Sequence, residues 1–262
     1  MLEGKIAIVT GGATGIGAAT SRLLAKNGAH VVVTSEQPVE SLRPVCDEIA
    51  AAGSTASAFT CDVTSGDAIA ALIADVEAKH GRLDILVNCA GLCVFGPLES
   101  VTPKQIEAMF AVNTIGPILL TKAALPLMRK TGGGSIVNIA SGAAMIGVEG
   151  LAAYSASKAA IAHFTRTFAP ELRRSGIRVN SVGPGSVRTP MLGFTDDDLT
   201  EAQQASIEKR AAGTRSPYGN AMIEPHDIAE VVLFLASDAA RALHGSYVLA
   251  DQGFSGCMSP PG

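Results

Sequence analysis

The chain has 262 residues, of which 47% are hydrophobic and 17% are charged, and its formal net charge is −4. This length fits one large domain or two small ones. The charge gives no electrostatic reason to expect a nucleic acid or an anionic membrane as a partner. No positively charged leader precedes the first apolar run, KIAIVT, so we expect no signal peptide and a cytoplasmic location. The five cysteines form no C-x-x-C pair and are predicted to be reduced thiols without a metal.

Short β-branched runs alternate with helical patterns along the chain. The predicted strands are 6–10, 31–34, 84–88, 135–140, 177–182 and 246–250. The clearest helical patterns are 18–29, 67–81 and 103–113. Continuously apolar strands are buried on both faces, and strand–helix alternation is typical of a parallel sheet. The sequence therefore predicts an α/β fold, a Rossmann-like doubly wound parallel sheet in a single domain over 1–262. Ligands of such sheets bind beyond the carboxyl ends of the strands.

Two stretches depart from this alternation. The apolar segment 110–128 contains Asn113, Lys122 and two prolines, so we predict a buried or subunit-facing helix rather than a membrane span. The acidic and polar segment 191–224 is too long for an ordinary connection in a compact domain. We interpret it as a substrate-loop insertion that forms a lid or a binding loop.

A glycine-rich turn, TGGATGIG at 10–17, follows the first strand and leads directly into a helix. Glycines let the backbone turn tightly and approach a diphosphate, whose charge is favoured at the helix N-terminus. Such a turn alone is a weak signal, but its position at the first strand-to-helix junction favours a dinucleotide.

This turn resembles the T-G-x-x-x-G-I-G fingerprint of the short-chain dehydrogenase/reductases, and further motifs of that family follow in order over nearly the whole chain. They are Asp62-Val63, which the resemblance places after a third strand, the N-x-A-G turn at 88–91, and Pro184-Gly185 with Thr189 beyond. The motif at 251–253 reads D-Q-G where the family has D-G-G. The resemblance implies nucleotide contacts from Gly11, Thr14, Gly15, Ile16, Gly17, Ser35, Glu36, Asp62, Val63, Asn88, Ala90, Gly91, Tyr154, Lys158, Pro184, Gly185, Val187 and Thr189.

The segment AAYSASKAA at 152–160 places a tyrosine and a lysine on one helical face, because residues four apart are neighbours there. An unperturbed phenol titrates near pH ~10, too high for a base at neutral pH. A neighbouring ammonium, together with an oxidised nicotinamide ring, would favour the phenolate and lower the pKa of Tyr154. Tyr154 could then exchange a proton with an alcohol or ketone oxygen during hydride transfer.

The family resemblance supplies the other members of this catalytic group. Ser141 follows the strand 135–140, and the resemblance implies that its hydroxyl orients and polarises the substrate oxygen. Asn113 matches a family residue associated with a water relay to Lys158, which also holds the nicotinamide ribose. The predicted catalytic residues are thus Asn113, Ser141, Tyr154 and Lys158.

The choice between NAD and NADP depends on residues near the end of the second strand. NAD-preferring relatives usually have Asp where Ser35 aligns, and NADP-preferring relatives often have Arg at Glu36 or a basic residue at Thr14. Neither position supplies a cation for a 2′-phosphate, and Glu36 would repel one. We predict NAD as the cofactor, with NADP as the alternative.

The loops after the strands predict an apolar substrate cleft, with Leu92, Val94, Met145, Ile146, Leu192 and Phe194 as its wall. The substrate contacts are predicted to be Ser141, Tyr154, Val94, Met145 and Leu192. A hydrophobic or alicyclic secondary alcohol and its ketone fit this cleft best, although apolar residues line most pockets. The alternatives are an NADPH-dependent 3-oxoacyl reductase and a non-catalytic dinucleotide-binding scaffold. The resemblance also implies a homotetramer.

Overall fold

The computed structural model describes residues 1–193 and 222–253, and in them the strands form one sheet. The sheet has seven parallel strands in the order β3-β2-β1-β4-β5-β6-β7. They are β1 (Ile6–Thr10), β2 (His30–Ser35), β3 (Ala56–Thr60), β4 (Ile85–Asn88), β5 (Gly134–Ile139), β6 (Ile177–Pro184) and β7 (Tyr247–Ala250). The predicted doubly wound α/β fold is confirmed.

Helices cover both faces of this sheet. They are α1 (Gly15–Lys26), α2 (Val39–Ala51), α3 (Gly66–His80), α4 (Pro103–Phe110), α5 (Gly116–Lys130), α6 (Ala152–Phe168) and α7 (Pro225–Ala236). Buried side chains of α1, α2 and α7 pack with Ala7 and Val9 in one apolar cluster. Those of α3 and α5 pack with Ile6 and Ile8 in a second cluster. Alternate residues of β1 thus face opposite layers, which is why the strand is apolar at every position.

The edge strand β3 is missing from the strands that apolar patterning predicts. Its sequence, ASAFT, has small and polar residues, and its positions are half-buried or exposed. An edge strand has a neighbour on one side only, so it needs fewer apolar residues than a central strand. The family resemblance, which places Asp62 after a third strand, does imply it.

The apolar segment around 110–128 belongs to a continuous helical run, Pro103–Lys130, that includes a π-helical turn at Ala111–Ile115. By length and composition alone this run could cross a membrane, but the core helices of many proteins meet the same criterion. Leu120, Leu127 and Met128 of α5 pack in the second apolar cluster. Part of the run is therefore a core helix, as predicted.

Asp84 fixes the amino-terminal edge of the sheet. Its carboxylate accepts a hydrogen bond of 2.9 Å from the backbone of Ile6 and two from Arg82, at 2.9 and 2.7 Å. The Lys5 ammonium lies 3.4 Å away. Burial by itself would raise the pKa of Asp84, but the bonds from Arg82 and Ile6 and the nearby positive charges outweigh it, so this pKa lies below its ordinary value. The charged form therefore stabilises the fold.

We expect Asp84→Asn to lower the free energy of unfolding by about 1–3 kcal/mol at pH 7, the range for loss of a buried charge-assisted hydrogen bond. Because the pKa of Asp84 is lower in the folded state, its contribution is present above the unfolded pKa near 3.8 and is lost as the pH falls further. Urea unfolding at pH 7 and below pH ~4 measures this. Asp47→Asn, on the exposed side of α2, is the matched control. We expect the two variants to differ in stability at pH 7 and to approach each other in acid. Equal stability of the two variants at pH 7 would contradict this role.

Candidate active site

A cleft of about 1270 Å³ runs along the carboxyl edge of the sheet, where the fold predicts ligand binding. Its wall includes most of the residues that the sequence assigns to a nucleotide or a substrate. These are Gly11, Thr14, Gly15, Ile16, Gly17, Ser35, Glu36, Asp62, Val63, Ala90, Gly91, Leu92, Ser141, Ile146, Tyr154, Lys158, Pro184, Gly185, Val187, Thr189 and Leu192. Segments far apart in sequence thus meet in one space.

The glycine-rich turn brings two backbone segments into contact at one end of the cleft. Gly11 has a φ of 64°, a left-handed conformation that favours glycine. A Cβ atom on Gly17 would lie 2.1 Å from the Gly11 carbonyl oxygen, so only glycine fits there. The first turn of α1 carries no acidic residue. Its N-terminal amides and positive dipole end are therefore suited to an anionic group such as a diphosphate.

Thr10 joins this turn to the N-x-A-G turn after β4. Its hydroxyl oxygen accepts hydrogen bonds of 3.0 Å from the backbone amides of both Cys89 and Ala90. Gly11 also lies against Ala90, since a Cβ on Gly11 would be 2.9 Å from the Ala90 Cα. The glycine-rich turn and the N-x-A-G turn are therefore packed against each other and joined by hydrogen bonds. The role of the Thr10 side chain was not predicted, because no spacing pattern marks a hydroxyl that bridges two strands.

Short polar side chains surround the next part of the cleft. Ser35 is buried and its hydroxyl accepts a hydrogen bond of 3.2 Å from the Gln37 amide. Glu36 is exposed and accepts a bond of 3.1 Å from the Gln37 side chain. Asp62 accepts from the backbone and the hydroxyl of Thr64, at 2.8 and 2.7 Å. This end of the cleft therefore carries carboxylates.

Ser141 and Tyr154 meet at the other end. Ser141 follows β5 in extended conformation, and its hydroxyl oxygen accepts a hydrogen bond of 3.2 Å from the Ala143 amide. Tyr154, in the first turn of α6, is 9% exposed, and the nearby Ser141 side chain acts to lower the pKa of its phenol. The two hydroxyl groups can thus act on one substrate oxygen.

Lys158 lies one helical turn beyond Tyr154 and is 3% exposed. Its ammonium donates a hydrogen bond of 2.8 Å to the carbonyl oxygen of Ile139, the last residue of β5, and lies 5.9 Å from the centroid of the Tyr154 ring. Burial lowers the pKa of Lys158 to about 8. The predicted placement of the pair on one helical face agrees with this geometry.

The expected lowering of the Tyr154 pKa is not produced by the protein groups alone. Burial raises the pKa of Tyr154 above its ordinary value, and the nearby Cys93 thiol acts in the same direction. The nearby Ser141 side chain acts to lower this pKa but does not overcome these effects. Desolvation of a phenolate outweighs a single hydrogen bond, and the Lys158 ammonium is directed toward the Ile139 carbonyl.

Asn113 lies in the π-helical turn and is 1% exposed. Its amide oxygen accepts a bond of 2.8 Å from the Leu92 backbone, and its amide nitrogen donates to the Leu92 carbonyl at 2.8 Å and to the Ser157 hydroxyl at 3.0 Å. A Cβ on Gly91 would be 3.5 Å from both the Asn113 amide oxygen and the Lys158 ammonium. Asn113 thus lies beneath the cleft wall, and the water relay stays a prediction.

Three further candidates do not line the cleft. Asn88 is buried below it, where its amide nitrogen donates to Asn138 at 2.7 Å, so this side chain supports the sheet instead of a ligand. Val94 does not line the cleft, whereas its neighbours Cys93 and Phe95 do. Met145 is 63% exposed at the end of a short helical turn and does not line the cleft. Ala143 and Ile146 line it instead, because residues three apart share a face of a helical turn. Phe194 and most of the 191–224 insertion fall outside the described residues.

Two cysteines border the catalytic group. Burial raises the pKa of Cys89 to about 12 and that of Cys93 to about 11, while the positive charge of Lys158 acts weakly in the opposite direction. Both thiols therefore stay protonated at neutral pH and lack the reactive thiolate form. Both belong to the wall of the cleft.

Comparison with known proteins decides the family of the chain. The family model for short chain dehydrogenases matches residues 5–200. The chain belongs to this family. It is therefore an oxidoreductase of the short-chain dehydrogenase type, and its family binds NAD or NADP.

Relatives of this short-chain dehydrogenase match it over almost its whole length. It is 36% identical over 252 residues to cis-4-hydroxycyclohexanecarboxylate dehydrogenase of Sinomonas cyclohexanicum, and this alignment covers 96% of each of the two chains. It is 35% identical to 3-oxoacyl-[acyl-carrier-protein] reductase of Thermotoga maritima, over 96% of this chain and 98% of the relative. A crystal structure from Beutenbergia cavernae with NADP bound at low occupancy shares 33% identity and a TM-score of 0.87, over 98% of both chains.

The residues of this short-chain dehydrogenase fit a nicotinamide dinucleotide. The close contact of Gly17 with Gly11 brings the backbone of the turn directly against the N-terminus of α1. The cleft continues from there past Asp62 to Tyr154 and Lys158. The glycine turn would hold the diphosphate, and Lys158 would hold the ribose next to the reacting ring.

We expect Lys158→Met to raise the free energy of unfolding by roughly 1–2 kcal/mol at pH 7, while abolishing turnover. The pKa of Lys158 falls from 10.5 to about 8 on folding, so the unfolded chain holds this proton more tightly. One pKa unit corresponds to about 1.36 kcal/mol, and loss of the bond to Ile139 offsets part of the gain. The penalty is complete below pH 8 and disappears as the pH rises toward 10.5.

Urea unfolding without added nucleotide, at pH 7 and pH 10, measures this difference. Lys122→Met, on the exposed side of α5, is the matched control. A Lys158→Met protein that is less stable than wild type at pH 7 would show that the buried ammonium is not a cost to folding.

Proposed function

We propose that the protein is an NAD(H)-dependent oxidoreductase that interconverts a secondary alcohol and its ketone, with Tyr154 as general acid and base. The observation that carries this proposal is the grouping of the Ser141 and Tyr154 hydroxyls with the buried Lys158 ammonium, in the same cleft as the glycine-rich turn. A scaffold that only bound a dinucleotide would need the turn alone.

Tyr154 moves the proton in this proposal. Its phenol and the Ser141 hydroxyl line the same cleft and lie near each other, so one substrate oxygen could contact both groups. In ketone reduction Tyr154 gives its proton to the forming alkoxide, and in alcohol oxidation it takes the proton back. The nicotinamide, when bound, supplies or accepts the hydride. The raised pKa of Tyr154 keeps the phenol protonated in the protein alone.

Lys158 contributes a fixed positive charge about one helical turn away. The Ile139 carbonyl orients its ammonium, and that ammonium lies within 6 Å of the Tyr154 ring. A positive charge at this distance stabilises the phenolate that alcohol oxidation requires. Ser141 donates its hydroxyl proton to the substrate oxygen, because the Ala143 amide already occupies a lone pair of its Oγ atom.

The lining of the cleft supports a substrate without a charged group near the reacting carbon. Leu92, Ile146 and Leu192 all belong to it, as does Phe95. One relative is named as a dehydrogenase of cis-4-hydroxycyclohexanecarboxylate, an alicyclic secondary alcohol whose carboxylate lies across the ring from the reacting carbon. We therefore favour an alicyclic secondary alcohol as the substrate class.

An NADPH-dependent 3-oxoacyl reductase is the second candidate. It is supported by the Thermotoga maritima relative and by the NADP in the Beutenbergia cavernae structure. The carboxylate of Glu36 at the cleft argues against it, because a 2′-phosphate there would meet a negative charge.

We also propose that residues 1–262 form one domain and assemble as a homotetramer. Exposed apolar side chains support a subunit contact: Ile115 is 50% exposed and Leu119 is 36% exposed on the helical run 103–130, and Leu249 on β7 is 40% exposed. The tetramer stays a prediction.

We expect the purified protein to reduce NAD in the presence of cyclohexanol or cyclopentanol, measured by NADH absorbance. Tyr154→Phe should lower kcat by at least about 100-fold, since removal of a general acid and base usually costs 10²–10⁴-fold. The dissociation constant for NAD should change less than about threefold in the same variant, because only the hydroxyl is removed.

Thr167→Val is a suitable control for this experiment, because it removes an exposed hydroxyl from the same helix at a residue that does not line the cleft. Turnover by Tyr154→Phe at the wild-type rate would overturn the mechanism. Turnover only with NADPH and a 3-oxoacyl thioester would favour the second candidate.

We expect kcat/KM to be higher with NAD than with NADP. Glu36→Arg should raise the ratio of kcat/KM for NADP to that for NAD by at least about tenfold, because it replaces a repulsive charge with an attractive one. Glu40→Arg makes the same change of charge on α2, outside the cleft, and should leave the ratio within about twofold. A wild-type preference for NADP would contradict the assignment.

A further inference from the structure

Tyr247, at the start of β7, reaches across the neighbouring strand to the catalytic serine. In the β6–β7 register Tyr247 lies opposite Ser181, and Gly183 is two residues further along β6 on the same face. The Tyr247 hydroxyl donates a hydrogen bond of 2.5 Å to the backbone carbonyl of Ser141. A residue on the last strand is thus bonded to the segment that follows β5.

Gly183 makes this reach possible. A Cβ atom at position 183 would lie 2.0 Å from the Tyr247 hydroxyl oxygen and 2.4 Å from its Cζ atom. The ring therefore lies directly over the Gly183 backbone, and any other residue there would displace it. The absence of a side chain at Gly183 thus leaves the space that the Tyr247 ring needs to reach the Ser141 carbonyl.

Ser141 is held at both of its polar groups. Its carbonyl accepts from the Tyr247 hydroxyl and, at 2.9 Å, from the Ala144 amide. Its side-chain oxygen accepts from the Ala143 amide at 3.2 Å. Burial, together with the charge of Asp251, raises the pKa of Tyr247 to about 12, so its hydroxyl remains a donor at neutral pH. The free hydroxyl proton of Ser141 can then be directed toward Tyr154.

We propose that Tyr247 is a positioning residue, which fixes the Ser141 backbone across Gly183 and so orients the Ser141 hydroxyl toward Tyr154 and the substrate oxygen. This proposal rests on the proposed function for its effect on turnover. The fixed geometry itself does not, and it can be tested without a substrate.

Tyr247→Phe removes the hydroxyl and keeps the ring. Hydrogen–deuterium exchange without nucleotide should be faster in peptides that cover 140–146, because the Ala143 and Ala144 amides bond to a Ser141 that is less fixed. Ser246→Ala removes the hydroxyl of the preceding residue, which does not line the cleft, and this variant should exchange like wild type. Unchanged exchange in Tyr247→Phe would overturn the proposal.

Turnover of cyclohexanol with NAD tests the consequence for catalysis. We expect Tyr247→Phe to lower kcat by about 3- to 10-fold, the effect of one net hydrogen bond, with little change in KM for NAD. The pH at which kcat for oxidation reaches half its maximum should also rise, because the Ser141 hydrogen bond lowers the pKa of Tyr154. A merely structural role would not move this profile.

The double variant Ser141→Ala/Tyr247→Phe separates an effect through Ser141 from one elsewhere. If Tyr247 acts by orienting the Ser141 hydroxyl, its substitution should lower kcat by less than about twofold once that hydroxyl is gone. An undiminished loss in the Ser141→Ala background would overturn the positioning role. Absence of wild-type turnover with any alcohol would count against the proposed function, and the exchange comparison would then decide the anchoring of Ser141.

Discussion

The burial of one ammonium group is the constraint on which the rest of this site depends. Lys158 is 3% exposed, and a buried charge is tolerated only where a hydrogen-bond acceptor meets it. The acceptor is the Ile139 carbonyl, at the point where β5 ends. Helix α6 must therefore keep a fixed distance from that strand, and buried polar bonds maintain it: the Asn138 amide of β5 donates to Thr165 of α6 at 2.9 Å.

The same helix carries the link to the π-helical turn. Asn113 donates to the Ser157 hydroxyl, and that hydroxyl donates at 2.7 Å to the Tyr154 carbonyl. The Thr114 hydroxyl also donates to the Ser157 carbonyl, at 2.9 Å. Extra backbone length in a π-turn changes the direction in which side chains leave a helix, and such turns are frequent at functional sites. Here the turn places the Asn113 amide between the loop after β4 and the helix of Tyr154, and its hydrogen bonds join the two.

The sequence predicts those features that local spacing encodes. Fully apolar strands, a glycine turn before a helix, and Tyr154 with Lys158 one turn apart each leave a pattern in adjacent residues. The edge strand β3 and the π-turn leave none, since half-burial and an added residue in a helix do not alter periodicity in a recognisable way. The shift of the Tyr154 pKa also escapes prediction: its sign depends on how far burial outweighs the Ser141 bond, which only the packed structure determines.

The two ends of the cleft differ in how far motifs describe them. Backbone and glycines form the nucleotide end, so a short sequence pattern is sufficient to specify it. At the reacting end, orientation comes from single contacts between distant segments, such as Tyr247 with the Ser141 carbonyl. Gly183 on β6, the strand between them, permits that contact, because a Cβ at this position would occupy the place of the phenol. Residues that fit each other in this way must change together, and no motif at one of the positions can reveal the others. The reaction type is therefore encoded locally, whereas the geometry that tunes it is encoded in the packing of β6 and β7.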